Sequence, residues 1–366
     1  MNRPLRIGVD ARELLGDSTG VGRYLGELLT RWTSRDDTEH RRFVLYAPER
    51  LSLTLPPDTA QTRVIGGGRG TWWEQTHLRR AVRDDSLDVF FAPAYTAPLG
   101  TGLPLALTIH DISFVAHPEW FRASEGLRRR WLTRRGASMA SVIFTDSEFS
   151  RSELERYLRV DPSRIQVIPP GTTAPRPSAK GPEPDREPLV LFVGSLFNRR
   201  RLPDLIAAFA RATTALPQAR LVVVGDNRTW PRQDLRGIAK TEGVEARTEF
   251  LSYIPEEALA SLYARASVFA FFSEYEGFGL TPLEAMSSGV PPVVLDTPVA
   301  REVYAEAAFY VQPGDIAGAA RLLVRLLTDP GAARHVLERA PAVLSRYSWE
   351  ETAARTLWHL ERIAAR

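Results

Sequence analysis

"LVLFVGSLFNRRRLPDLIAAFARATTALPQARLVVVGD", residues 189–226, decides the fold. Two continuous apolar runs, "LVLFVG" and "RLVVVGD", bracket a stretch whose apolar residues recur at helical spacing. Runs of that kind suit strands buried on both faces, and a helix between two such strands makes them parallel. Pro203 sits near the helix start, where its missing N–H costs nothing. The segment reads as a βαβ unit whose strand–helix turn carries Arg199, Arg200 and Arg201. Free N–H groups at a helix N-terminus beside guanidinium groups make an anion site, and a solvated arginine turn is the alternative.

The same rhythm extends in both directions. Upstream lie "LRIGV", "RFVLYA", "TRVIG", "LDVFFA", "LALTIH", "SVIFTD" and "IQVIPP", with helical patterns at 21–33, 74–84, 122–140 and 148–158 between them. Downstream come "RTEFLSY", "SVFAFFS", "PPVVLD" and "AFYVQP". Residues 172–188, "TTAPRPSAKGPEPDREP", are polar, proline-rich and aperiodic, which marks a linker. The expected fold is therefore α/β, with two Rossmann-like, doubly wound domains at 1–171 and 189–347 and a central cleft as the ligand site. A closing amphipathic helix occupies 348–366, with Ser348 as its N-cap and Glu351 completing a capping box.

Composition narrows the function classes. With 366 residues, 44% hydrophobic and 25% charged, the chain is of ordinary globular type and long enough for two cores. The absence of cysteine excludes disulfides, a thiol nucleophile and thiolate-bound metals. No apolar run approaches the roughly 20 residues of a membrane span, and "MNRPLRIGVDAR" enters a strand without a signal-peptide core, so a cytoplasmic location is expected. Lys180 and Lys240 are the only lysines among 47 basic residues. Arginine's planar fork suits phosphate, although a GC-rich coding sequence gives the same bias. A pI near 9.3 fits nucleotides or an anionic lipid surface without choosing between them.

Three further segments carry chemistry. In "FFSEYEGFGLTPLEAMSSGVPPVV", 271–294, Thr281 reads as a helix cap with Pro282 at the first position and Glu284 as a capping-box carboxylate. That leaves Glu276 unexplained, at the end of a strand where a parallel sheet presents ligands and a carboxylate can accept sugar hydroxyls. In "DARELLGDSTGVGRYLGELL", 10–29, Gly20 and Gly22 open a helix and permit close approach of a diphosphate or sugar. It is not the dinucleotide fingerprint, because its first βα turn is too long and the third glycine is missing. In "EWFRASEGLRRRWLTRRGASMASV", 119–142, Trp120, Phe121, Leu127, Trp131 and Leu132 alternate with six arginines. This helix either lies on an anionic membrane or, the reading preferred, packs its apolar side in the core.

"EGFGLTPLE", two glutamates separated by seven residues, resembles the signature of retaining glycosyltransferases of family GT4, which have the GT-B architecture. "TGVGRY", "WWEQTHL", "HDISFVAHPEWF", "TDSEFSRSEL", "VIPPGT" and "LFVGSLFNRRRLPDLIAAF" resemble segments of the same family in the same order, across nearly the whole chain. The resemblance implies transfer of a hexosyl group from a nucleotide sugar, GDP- or UDP-linked, held by the second domain, to a glycan, lipid-linked or small-molecule acceptor held mainly by the first. "VDAR" and "WEQ" resemble bacterial O-antigen mannosyltransferases and point to mannose on GDP. It further implies catalytic roles for Glu276, His110 and Asp111. Donor contacts fall to Gly20, Gly22, Ser195, Arg200, Gly277, Phe278, Gly279, Leu280 and Glu284, the last at the ribose.

The family commonly has an arginine where Ser195 stands, and its later lysine is best matched by Arg200. No Asp-x-Asp pair occurs, and such enzymes typically need no divalent ion, so neither a metal nor a separate cofactor is expected. No nucleic-acid partner is expected, peripheral membrane contact depends on the 119–142 helix, and the oligomeric state is not legible. The alternatives are a GT-B nucleotide-sugar epimerase, which needs no acceptor, and a noncatalytic nucleotide-sugar-binding protein.

Overall fold

The computed structural model of the chain describes residues 3–16, 20–34, 40–173 and 186–365. Residues 174–185, most of the expected linker, lie outside the described residues. The chain divides into two compact units: residues 1–116, 123–171 and 347–366, and residues 117–122 with 172–346. The short segment 117–122, expected with the first domain, belongs to the second unit: the His117 and Trp120 rings rest edge-on against Tyr275, and Arg122 lies over Trp230.

Seven strands build the first unit's sheet: β1 (Leu5–Asp10), β2 (Arg41–Ala47), β3 (Ala60–Val64), β4 (Val89–Ala92), β5 (Leu105–Thr108), β6 (Val142–Thr145) and β7 (Ile165–Val167). Their order is β3-β2-β1-β4-β5-β6-β7, and every pairing is parallel. Six more build the second: β8 (Glu187–Val193), β9 (Arg220–Val224), β10 (Thr248–Leu251), β11 (Ala266–Phe271), β12 (Pro292–Leu295) and β13 (Phe309–Val311). They run β10-β9-β8-β11-β12-β13, again all parallel. Each run singled out from the sequence falls on a strand; the central strands are apolar throughout because helices cover both their faces, while the edge strand β3 leaves Gln61, Thr62 and Val64 exposed.

Strand order reverses twice, and those reversals locate the sites. In the first sheet β1 has β2 on one side and β4 on the other; in the second, β8 lies between β9 and β11. Loops leaving the carboxyl ends of such a strand pair diverge and leave an opening, the usual place for a ligand in open α/β sheets.

The first unit's core is closed by the C-terminal helix Trp349–Ala364. Trp349, Ala353, Leu357, Leu360 and Ile363 join Leu25, Leu28, Trp32, Phe43 and Phe91 in one buried cluster. Trp32 Nε1 donates to the Ala353 carbonyl at 2.8 Å, and Ser348 Oγ accepts from Glu351 N at 3.4 Å as the helix cap. In the second unit the Phe192, Phe269 and Phe271 rings stack beneath the same sheet.

The helix Ala123–Met139 departs from its preferred reading. Its inward face is Leu132 together with the small residues Gly126, Thr133, Gly136 and Ala137, which seat the helix close to the sheet; a Cβ on Gly136 would lie 3.3 Å from the Leu107 side chain. The space under the helix is therefore filled without Leu127 and Trp131, which stand 64% and 55% exposed.

Leu360 is fully buried between the closing helix and the first sheet, so Leu360→Ala is expected to lower the unfolding free energy by about 2–5 kcal/mol in urea titrations. Trp32→Phe, which keeps the ring stack on Phe43 but removes the indole hydrogen bond to the Ala353 carbonyl, is expected to cost about 0.5–1.5 kcal/mol.

Candidate functional site

In the second unit the site starts at the end of β8. Gly194 follows with φ +140°, and a Cβ there would come within 2.1 Å of Arg200 Nη1. Only glycine lets that guanidinium reach back over the strand end. Ser195 and Leu196 run alongside the β9 loop through the Leu196–Asn227 bridge, a short turn covers Asn198–Arg200, and Arg201 (φ +47°) precedes the helix Leu202–Thr213. Pro203 lies in the first turn, as expected, with Asp204 beside it.

The loop after β11 is fastened to this one. Glu274 N donates to the Arg199 carbonyl at 2.9 Å, and Arg201 bridges Glu274 and Asp204. Glu276 Oε1 accepts from Ser273 Oγ at 2.7 Å and lies 3.0 Å from Arg200 Nε and 3.6 Å from Arg199 Nε. Arg200 also rests on the Phe271 ring face, 4.6 Å from its centroid. All three side chains are about nine-tenths buried, and Glu276 Oε2 makes no hydrogen bond among the described residues. The expected anion-binding arginine and the expected sugar-binding glutamate are thus in direct contact, at the strand pair where the order reverses.

The capping-box reading of Glu284 is overturned. The helix spans Leu280–Ser287, so its cap is Gly279 at φ +90° rather than Thr281. A Cβ at Gly279 would come within 2.1 Å of Tyr304 Oη, which donates to the Gly279 carbonyl at 2.8 Å and holds the turn. With the helix starting there, Pro282 takes the third position and Glu284 points inward. It is buried, with Tyr263 Oη donating to its Oε2 at 3.3 Å. Thr281 Oγ1 is buried without a hydrogen-bond partner. Gly277 and Phe278 complete the turn, Phe278 buried beneath it. Beside Leu196, at the ends of β9 and β10, opens a cavity of about 410 Å³ lined by Asn227, Gln233, Leu235, Phe250 and Ser252.

The first unit has its own constellation at the β1–β4 reversal. His110, just past β5, is almost fully enclosed: Nδ1 is 2.8 Å from Asp146 Oδ2, Nε2 is 3.1 Å from the Pro93 carbonyl, and the Tyr24 and Tyr95 rings close in edge-on. Both nitrogens face acceptors, so both must carry protons to be satisfied. Burial pulls the pKa of His110 down, but Asp146 and the Pro93 carbonyl raise it more, and the net shift is upward. Asp111 accepts from both N and Oγ of Ser113 at its Oδ1, capping the short helix Ser113–Ala116, with Tyr95 Oη 3.4 Å from Oδ2.

Gly20 and Gly22 occupy the first turn of the helix Gly20–Thr33; the preceding residues 17–19 lie outside the described residues. A Cβ at Gly20 would meet nothing within 4 Å, so packing does not demand glycine there.

Next to His110 in the topology lies a network not singled out from the sequence. Arg12 Nη2 is 2.7 Å from Asp10 Oδ2 and 2.5 Å from Glu74 Oε1, Thr96 Oγ1 donates to Glu74, and Gln75 Nε2 donates to both Glu74 and the Ala97 carbonyl. Burial raises the Asp10 pKa to about 6, against the lowering effect of Arg12. "VDAR" and "WWEQ", two of the segments that carried the resemblance, are therefore the two halves of one clamp on the loop after β4. Among the described residues no group of three or more histidine or acidic side chains is arranged to hold a metal ion.

The family models divide at the linker. "Glycosyltransferase Family 4" matches residues 18–174 and "Glycosyl transferases group 1" residues 175–343. The chain is 25% identical over 362 residues to O-antigen chain mannosyltransferase B of Escherichia coli, covering 93% of this chain and 95% of that protein. It is 27% identical to the MMP alpha-(1->4)-mannosyltransferase of Mycolicibacterium hassiacum, covering 93% and 79%. Sucrose-phosphate synthase from Thermosynechococcus elongatus superposes over 100% of both chains with a TM-score of 0.77 at 20% identity, a likeness of fold, and that fold is GT-B.

His110 binds its second proton more tightly folded than unfolded, so its pairing with Asp146 contributes stability fully below pH ~6.5 that is lost as pH rises through the folded value. Asp146→Asn is therefore expected to destabilise the protein most near pH 6, and the gap to wild type should narrow as urea titrations move to higher pH. A pH-independent gap would contradict the doubly protonated histidine.

Proposed function

The chain belongs to the glycosyltransferases, with a family 4 first half and a group 1 second half, and from that premise we propose that it is a retaining hexosyltransferase using a nucleotide-diphosphate sugar, with GDP-mannose as donor. The observation that carries the reading is the Arg200–Glu276 contact at the β8–β11 reversal, which sets a cation for phosphate against a carboxylate for sugar hydroxyls. Mannosyl transfer is favoured by two relatives that match nearly the whole chain and are both named as mannosyltransferases. The acceptor is a glycan or a lipid-linked saccharide.

The chemistry follows from where charge develops. As the anomeric carbon–oxygen bond to the diphosphate breaks, positive charge grows on the sugar and negative charge on the departing phosphate. The backbone N–H groups of Arg200 and Arg201, ahead of Leu202, are taken up by the Phe197 and Asn198 carbonyls, so in this reading the phosphate oxygens are assigned to the Arg200 guanidinium and Ser195; preorganised donors of this kind lower the barrier because they need no reorientation. In the reading proposed, the diphosphate is neutralised by these groups without a divalent ion. The acceptor hydroxyl attacks from the face the diphosphate leaves, its proton passes to the departing phosphate oxygen, and configuration is retained.

Glu276 Oε2, with no internal hydrogen bond, is assigned to the sugar hydroxyls, and Gly277, Phe278, Gly279 and Leu280 to the turn beneath them. Glu284 is assigned to the ribose, and the 410 Å³ cavity to the nucleoside. In the first unit Gly20 and Gly22 are assigned to close backbone approach. Imidazolium His110 is assigned to the transferred sugar, and Asp111 to shaping the loop that carries it.

A panel of radiolabelled GDP-, UDP-, dTDP- and ADP-sugars tests the activity. Selective stabilisation by GDP in a thermal shift, with sugar transfer that needs an acceptor, is expected. Conversion of the donor without acceptor would instead indicate an epimerase, and binding without turnover a sensor. Within the site, Glu276→Gln is expected to lower kcat roughly 10²–10³-fold, the range for removing one preorganised polar group. Arg200→Ala is expected to weaken nucleotide binding about 10- to 100-fold in calorimetry, the loss of one charge-assisted contact.

A further inference from the structure

The helix Ala123–Met139 presents a face to solvent that serves neither the core nor the donor site. Leu127, Trp131, Arg135 and Met139 recur every four residues, with Arg134 and Ser138 beside them, so they share one side. Leu127, Trp131 and Met139 are 64%, 55% and 44% exposed. Isolated exposed apolar residues are ordinary; a leucine and a tryptophan one turn apart on an otherwise strongly charged helix are not.

The charge on this helix is one-sided. It carries five arginines against a single glutamate, Glu125, which is already 3.2 Å from Arg129. Among the described residues no carboxylate pairs with Arg128, Arg134 or Arg135; Arg135 lies 6.0 Å from the Trp131 ring centroid, flanking the apolar anchor with charge. Half-buried arginines elsewhere on the first unit are paired, as Arg31 is with Glu27 and Glu350 and Arg63 with Asp85, whereas Arg128, Arg134 and Arg135 stand together on one helix without an acid between them. The inward face, made of Gly126, Thr133, Gly136 and Ala137, already fills its space, so the outward residues have no place in the core to retreat to.

We propose that this face is a docking surface for an anionic lipid bilayer, with Leu127 and Trp131 entering the headgroup layer and Arg128, Arg134 and Arg135 meeting lipid phosphates. The combination decides the partner. A polyanion such as nucleic acid needs the arginines but gains nothing from an exposed leucine and tryptophan. A membrane interface uses both, because the apolar side chains enter the acyl boundary while the guanidinium groups stay at the headgroups. Among the described residues no helix is long and apolar enough to cross a membrane, so attachment of this kind is peripheral and reversible. The surface lies outside the donor site and is tested without donor or acceptor, so failure of the activity assigned above does not decide it.

The test is co-sedimentation of the full chain with vesicles of phosphatidylcholine alone and of phosphatidylcholine mixed with phosphatidylglycerol. Binding to the mixed vesicles and not to the neutral ones is expected, weakening as salt rises. Arg134→Ser with Arg135→Ser should reduce partitioning by about fivefold per charge removed. Leu127→Ser with Trp131→Ser should reduce it at least ~10-fold at unchanged net charge, with circular dichroism confirming that these surface changes leave the fold intact. Absence of binding to the anionic vesicles would overturn the proposal. So would undiminished binding of the Leu127→Ser/Trp131→Ser variant combined with displacement of the protein by heparin, which would make the face a polyanion site instead.

Discussion

Parallel pairing is the constraint on which everything else rests. Both sheets contain only parallel pairs, so each strand must return through a crossover, helices cover both faces, and all carboxyl ends gather on one edge. Nothing in the apolar runs themselves specifies chemistry. They nevertheless decide where chemistry sits, because the residues immediately after β1, β4 and β5 are brought to the carboxyl edge of the first sheet, and those after β8 and β11 to that of the second, wherever they fall in sequence. Thus Arg200 and Glu276, 76 positions apart, come within 3.0 Å of one another.

That contact has an energetic meaning. A cation and an anion that are both largely buried would each carry a desolvation cost if left alone, and pairing offsets it. Glu276, itself held by Ser273 Oγ, and the face of the Phe271 ring stand against Arg200 in place of water. In the function proposed, a diphosphate would meet a guanidinium already fixed in orientation and share it with Glu276 instead of ordering a flexible side chain from solution. The same contact holds the carboxylate in one rotamer with Oε2 available.

Much of this was legible from residue pattern. Every strand falls on a run singled out from the sequence, and the central ones were plainest because burial on both faces removes the ambiguity that the half-exposed edge strands β3 and β10 bring. Arg200 and Glu276 were readable because each follows an obvious strand. Glu284 was read as a capping carboxylate, and there local rules failed: Thr281-Pro282 is a good helix start in isolation, but Tyr304 anchors the Gly279 turn and starts the helix at Leu280. Asp146, Ser273 and Tyr304 matter through partners far away in the chain or across a turn, and no local spacing announces them. The Asp10–Arg12–Glu74 clamp is the same kind of feature, because its halves sit on different loops and each looks like an ordinary surface charge until the sheet joins them.

The Ala123–Met139 helix shows why apolar content alone does not identify a core face. Helical spacing can be satisfied by small residues as well as large ones, and here Gly126, Gly136 and Ala137 let the helix approach the sheet until Gly136 stands against Leu107. A leucine or tryptophan on that side would push the helix outward and open voids around Leu132, at a cost of the order of 1–3 kcal/mol for overpacking. Close approach of the backbone and burial of Trp131 are thus mutually exclusive, and the small residues settle which one occurs. The large apolar side chains are left on the surface as a consequence of packing, where only an environment that accepts both a tryptophan ring and a guanidinium gives them contacts that water does not.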